Sequence, residues 1–100
     1  MALALKGESV YAASKAAVES FSRTFAREIA DFNVRVNCIA PGPIRTDLLR
    51  GITDTQIEKI TSQQIIQKQF QKTDVCDLVE LLLDEKASSL SGQVLNVGGV

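Results

Sequence analysis

The sequence has 100 residues, of which 45% are hydrophobic and 23% are charged, a composition typical of one small globular domain. Its formal net charge of −1 gives no electrostatic basis for binding nucleic acid or an anionic membrane surface. The chain contains no histidine, which excludes a Ser-His-Asp triad, and its two cysteines are too few for a zinc cluster. We therefore expect a single domain without a metal site, and neither nucleic acid nor a membrane as a partner.

Two features predict a cytoplasmic protein. Cys38 and Cys76 lie in apolar segments, where free, buried thiols are more common than a disulfide when no secretion signal precedes them. No apolar run reaches the ~18 to 20 residues of a membrane-spanning helix. We expect both thiols to be reduced and buried.

The first predicted element is a helix from about Tyr11 to Ala30, a stretch without glycine or proline. Its apolar stripe recurs at spacings of three and four residues: Val18, Phe21, Phe25 and Ile29. A second stripe consists of small residues: Ala13, Ala17, Ser20 and Thr24. The small stripe would let another backbone approach closely, or it reflects only the high helix propensity of alanine.

A buried strand is predicted next, over residues 34–40, because VRVNCIA is rich in β-branched residues and ends at Pro41-Gly42-Pro43. Residues 46–70 are predicted to form short helices in a mobile flap. Its apolar residues would either bind an apolar or acyl-bearing substrate or pack the flap's own helices: Leu48, Leu49, Ile52, Ile57 and Ile60.

The last predicted pair is a helix that is capped by Thr73-Asp74 and ends near residues 84–86, and a strand over residues 92–97. The apolar face of that helix consists of Val75, Leu78, Val79 and Leu82. Helices and strands thus alternate along the whole chain. The alternation predicts an α/β fold with parallel strands.

The only tyrosine, Tyr11, precedes Lys15 by one helical turn, so both side chains project from one face of the first helix. An ammonium group and the positive end of a helix dipole both favour the tyrosinate form of a nearby phenol. Such a tyrosine can exchange a proton with a substrate oxygen. The same pattern also occurs as a solvated pair on helix surfaces, so it needs a supporting context.

The segment 41–47, PGPIRTD, lies at the carboxyl end of a predicted parallel strand, where ligands bind in open α/β sheets. A tight turn at Pro41 and Gly42 would present backbone groups and the Thr46 hydroxyl to a planar amide or a phosphate. The alternative is an ordinary turn followed by a helix whose N-cap is Thr46.

In order and spacing, three segments resemble the short-chain dehydrogenase/reductases, and particularly their beta-ketoacyl-carrier-protein reductases: YAASKAAVESFSRTFARE, VRVNCIAPGPIRTD and SGQVLNVGG. The resemblance spans nearly all of residues 9–99. It implies the C-terminal part of a Rossmann-like doubly wound parallel sheet. It also implies an NADP- or NAD-dependent oxidoreductase that interconverts a ketone and a secondary alcohol, resembles a 3-oxoacyl-carrier-protein reductase, and assembles as a homotetramer or homodimer.

The resemblance also implies residue roles. Tyr11 would be the general acid/base, and Lys15 would hold the nicotinamide ribose hydroxyls. The turn at Pro41 and Gly42 would lie beside the nicotinamide, Ile44 would offer backbone groups to its carboxamide, and Thr46 would contact the carboxamide or the pyrophosphate.

The sequence departs from the family at its cofactor-binding half. The six glycines form no Gly-rich dinucleotide loop, and the family's catalytic serine, about a dozen residues before the tyrosine, would fall before Met1. We therefore expect a fragment of a longer reductase that is inactive by itself. The alternative is a noncatalytic chain that acts only through oligomer or partner contacts. The residues that would separate NAD from NADP are not in this sequence.

Overall fold

The computed structural model describes residues 9–41 and 53–99. Its elements are α1 (Ser9–Glu28), a 3-10 turn (Ala30–Phe32), β1 (Cys38–Ala40), α2 (Asp54–Ser62), α3 (Lys72–Leu83), a second 3-10 turn (Glu85–Ala87) and β2 (Val94–Asn96). The two strands pair in parallel. The predicted order of helix, strand, helical segment, helix and strand is confirmed, as is the parallel pairing.

Helix α1 begins two residues before the predicted start and ends at Glu28. The chain then tightens into a 3-10 turn and reverses at Asn33, whose φ of 58° is left-handed. Asparagine tolerates this conformation better than most residues because its short polar side chain can hydrogen-bond locally. The Asn33 amide donates to the Ala30 carbonyl over 3.1 Å, which closes the turn.

The face of α1 that is buried differs from its most apolar stripe. Val18 and Phe21 are 52% and 66% exposed, whereas Glu19 and Ala26 are buried. The Phe21 and Phe25 rings stack on each other, with centroids 5.3 Å apart. Periodicity therefore predicts the helix, but it does not identify the side that packs within the described residues.

Strand β1 is shorter than the predicted strand over residues 34–40, because residues 34–37 make no regular ladder. Side chains accept from two of the backbone amides there: the Val36 amide donates to the Ser91 hydroxyl over 3.1 Å, and the Gln93 amide donates to the Asn37 side-chain oxygen over 3.2 Å. Regular pairing covers only the three pairs from Cys38↔Val94 to Ala40↔Asn96. Strand β2 is accordingly shorter than the predicted 92–97.

Helix α3 starts at Lys72, with Gln71 as its N-cap, and not at the predicted Thr73-Asp74. Asp74 instead occupies the third position of the helix, where its carboxylate accepts a hydrogen bond of 2.6 Å from the Gln71 amide. The acidic residue contributes to the cap from inside the first turn. The helix ends at Leu83, close to the predicted end.

Among the described residues, the buried hydrophobic side chains are Ala26, Phe70 and Ala87. Both cysteines are free, as predicted. The prediction that both are buried is wrong: Cys38 is half-buried in β1, and Cys76 is exposed on α3. An apolar neighbourhood in sequence does not bury a thiol on a helix face that no described element covers.

Candidate active site

Tyr11 and Lys15 lie one turn apart at the start of α1, and both are exposed. The Lys15 ammonium nitrogen is 5.3 Å from the centroid of the Tyr11 ring, within the range of a cation–π contact. The structure therefore brings the predicted pair together on one helix face. At 57% exposure, Tyr11 is accessible to a small molecule.

The position of this pair on the helix adds to its electrostatics. Tyr11 is the third described residue of α1, towards the amino-terminal end of the helix, where the helix dipole is positive. The described first turn of α1 contains no acidic residue. The Ser14 hydroxyl donates to the main-chain carbonyl of Tyr11 over 2.8 Å and does not contact the phenol group.

Pro41 follows β1 directly and is exposed at the carboxyl end of that strand. The Val97 amide donates to the Ala40 carbonyl over 3.0 Å, so hydrogen bonding between the two strands reaches the residue before Pro41. The other predicted cofactor contacts, at Gly42, Ile44 and Thr46, lie outside the described residues.

A further contact at the carboxyl end of β2 was not predicted from the sequence. Gly98 has a φ of 85°, and a Cβ there would lie 2.6 Å from the buried ring of Phe70 and 3.3 Å from the buried side chain of Gln64. The Ile66 amide donates to the Gly98 carbonyl over 2.8 Å. The second half of the predicted flap therefore packs against the end of β2. The pair Gly98-Gly99 was the only sequence signal for this close approach.

Within residues 9–41 and 53–99, no group of three or more cysteine, aspartate or glutamate side chains could hold a metal ion. In that part of the chain, no helix is long and apolar enough to cross a membrane.

A family model described as enoyl-(acyl carrier protein) reductase matches residues 2–99. The chain is 36% identical over 93 residues to 3-oxoacyl-[acyl-carrier-protein] reductase FabG of Salmonella typhimurium, covering 93% of this chain and 38% of that protein. It is 35% identical over 92 residues to an uncharacterized oxidoreductase, YmfI, of Bacillus subtilis, with 92% of this chain and 38% of the relative covered.

Solved structures agree with this result. A hydroxysteroid dehydrogenase from Escherichia coli superimposes with a TM-score of 0.80 and 38% identity, covering 94% of this chain and 41% of its own. A 7 alpha-hydroxysteroid dehydrogenase complexed with NADH and 7-oxo glycochenodeoxycholic acid superimposes with a TM-score of 0.84 and 36% identity, covering 97% and 38%.

The chain spans about 38% of the length of the curated relatives described above. The family match nevertheless extends over nearly all of its residues, and the parallel two-stranded sheet fits a partial Rossmann fold. The chain therefore belongs to the short-chain dehydrogenase/reductase family of oxidoreductases.

Proposed function

We propose that these residues form the C-terminal part of a nicotinamide-dependent reductase that converts a ketone to a secondary alcohol, or the reverse. The observation that supports this most directly is the Tyr11–Lys15 pair, exposed at the positive end of α1 with the ammonium 5.3 Å from the ring. The pair supplies a proton donor and a cation in one place, which is the combination that carbonyl reduction needs.

In the proposed reaction, the phenol of Tyr11 gives its proton to the carbonyl oxygen while a hydride adds to the carbonyl carbon. A bound NADPH or NADH would supply that hydride. Lys15 stabilises the tyrosinate that remains and would hold the ribose hydroxyls of the cofactor. The alcohol oxidation runs the same transfers backwards, with Tyr11 as the base.

The remaining cofactor contacts are proposed for the turn that follows β1. Pro41 and Gly42 would border the nicotinamide, backbone groups of Ile44 would hold its carboxamide, and Thr46 would bind the carboxamide or the pyrophosphate. Support comes from the exposed position of Pro41 at the carboxyl end of a parallel strand, where ligands of open α/β sheets bind.

We propose a 3-oxoacyl thioester on an acyl carrier protein as the substrate. Several similar proteins are named 3-oxoacyl-[acyl-carrier-protein] reductase, including that of Escherichia coli at 34% identity. Similar solved structures include hydroxysteroid dehydrogenases, so an apolar cyclic ketone is the substrate to compare. Both compounds present a ketone oxygen to Tyr11.

A second candidate is a noncatalytic chain that acts through oligomer or partner contacts. It is favoured by the large apolar side chains that α1 exposes, among them Val10 at 83% and Phe21 at 66%. The two candidates differ in what they predict for a longer version of the protein: under this second candidate, that longer protein shows no turnover.

The deciding experiment compares the isolated 100 residues with a full-length protein that contains them. Calorimetric titration with NADH and NADPH is expected to detect binding only in the full-length protein, since the isolated chain has no Gly-rich phosphate loop. Micromolar binding by the isolated chain would overturn the fragment hypothesis. Absence of ketone reduction in a full-length protein that binds cofactor would favour the noncatalytic candidate.

A further inference from the structure

A polar cluster at the amino ends of the two strands centres on Arg35. Its guanidinium group donates to three main-chain carbonyl oxygens: that of Leu82 over 2.8 Å, that of Ala87 over 3.0 Å and that of Leu90 over 3.3 Å. All three acceptors belong to the end of α3 or to the connection from α3 to β2. The side chain is half-buried among them.

The chemistry of this contact suits arginine in particular. Leu82 lies in the last turn of α3, where carbonyls have no intrahelical partners and the helix dipole is negative. A lysine could supply the charge, but only the planar guanidinium fork presents fixed donors to several acceptors at once. Three acceptors on one side chain therefore indicate a requirement for geometry as well as charge.

The cluster continues from Arg35 to the first paired residues of the sheet. Asn37 donates to the Leu90 carbonyl over 3.0 Å and accepts from the Gln93 amide over 3.2 Å. The Gly92 amide donates to the Val36 carbonyl over 2.6 Å, and the Cys38 amide donates to the Gln93 carbonyl over 2.8 Å. An unbroken series of hydrogen bonds thus leads from Arg35 into the ladder.

This series matters because the ladder is short. Three residue pairs, Cys38↔Val94 to Ala40↔Asn96, give a weakly specified register, and a slip of one residue would move β1 by ~3.3 Å and reverse its faces. Pro41 follows Ala40 directly, so any such slip would displace Pro41 relative to Gly98.

We infer that Arg35 is a positioning residue: by holding the α3–β2 connection, it sets the register of β1 and so the position of Pro41. The register part of this inference stands on the hydrogen bonds alone. The consequence for turnover rests on the proposed function.

Hydrogen exchange in the full-length protein tests the register. The reporter is the Val97 amide, which donates to Ala40 at the far end of the ladder, and the reference is the Ile29 amide, which donates to Phe25 over 3.1 Å at the end of α1. Arg35→Gln is expected to speed exchange in a peptide containing Val97 by ~10-fold or more, with the peptide containing Ile29 unchanged.

Two further variants serve as controls. Arg35→Lys keeps the charge but should restore little of the protection at Val97, and Arg23→Gln, at an exposed arginine of α1, is the matched control.

Four outcomes would each overturn the inference. They are unchanged exchange at Val97 in Arg35→Gln, equal acceleration of exchange at Val97 and Ile29, full recovery of Val97 protection in Arg35→Lys, and a Val97 amide that is unprotected in the parent protein. Kinetics test the second part: Arg35→Gln should lower kcat by ~100-fold or more without moving the pH-rate profile, because a misplacement of only about 1 Å can cost that much. A loosened ladder with normal kcat would remove the catalytic consequence. An inactive parent would contradict the proposed function and leave the exchange result to decide the register.

Discussion

Tyr11 and Lys15 are in contact because a spacing of four residues places two side chains on the same face of a helix, and this spacing can be read from the sequence. Tertiary relations are different. The buried Phe70 packs against Gly98 although nothing in the spacing of the sequence connects them, and Cys76 is exposed although its neighbours are apolar. The contact between Tyr11 and Lys15 could therefore be predicted from the sequence, whereas the packing at the end of β2 could not.

The first prediction removes the proposed proton donor. In the full-length protein, Tyr11→Phe should lower kcat for ketone reduction by ~100-fold or more, because the carbonyl oxygen loses its general acid. Steady-state kinetics measure the loss, and cofactor affinity, measured by calorimetry, should stay near that of the parent. Near-normal turnover in this variant would show that Tyr11 has been assigned the wrong role.

The second prediction concerns the charge beside the phenol. In the full-length protein, Lys15→Met removes the cation that lies 5.3 Å from the Tyr11 ring centroid, so kcat for alcohol oxidation should fall by ~100-fold, because the negative charge on the phenol oxygen loses its stabilising partner. Arg23→Met, which removes another exposed cation of α1, should leave kcat unchanged. If both variants behave alike, the effect belongs to the overall charge and not to the pair.

At the scale of elements, the sequence predicted which segments become helices and strands better than it predicted their ends. β-Branched residues predict a strand over residues 34–40, but the Ser91 hydroxyl accepts from the Val36 amide and the Asn37 side chain accepts from the Gln93 amide, and β1 starts only at Cys38. The start of α3 was similarly displaced, because Asp74 accepts a hydrogen bond from within the first turn. Side-chain competition for backbone groups decides such boundaries, and it depends on partners that are distant in sequence.

The third prediction tests the contact between β2 and the segment after α2. Gly98→Ala should destabilise the protein by about 2 kcal/mol or more, since a Cβ at φ 85° is strained and would lie 2.6 Å from the Phe70 ring. Gly92→Ala is the matched control, because its φ of 70° imposes similar strain while its Cβ would meet only Ala26, at 3.6 Å. Urea unfolding followed by circular dichroism measures both variants. Equal losses at the two positions would show that Phe70 does not constrain Gly98.

At the scale of the whole molecule, the chain buries few of the side chains that the structure describes. Its radius of gyration is 14.9 Å, above the ~13 Å typical of a compact domain of this length. Among the residues that the structure describes, no large side chain is fully buried, and Phe21, Phe32 and Leu83 are all more than 60% exposed. Part of a doubly wound fold is expected to look like this, with a two-stranded sheet and apolar helix faces that no other element covers.

The last prediction follows from these uncovered surfaces. Exposed apolar helix faces and a strand edge favour association, so the isolated 100 residues should form oligomers or aggregates whose size grows with concentration. Light scattering across a concentration series measures this. Phe21→Glu should weaken the association because it places a charge on the apolar face of α1, while Arg23→Glu should weaken it less, since Arg23 is polar already. A monomer that melts sharply at high concentration would mean that these residues build their own core, and would favour an independent domain over a part of a larger reductase.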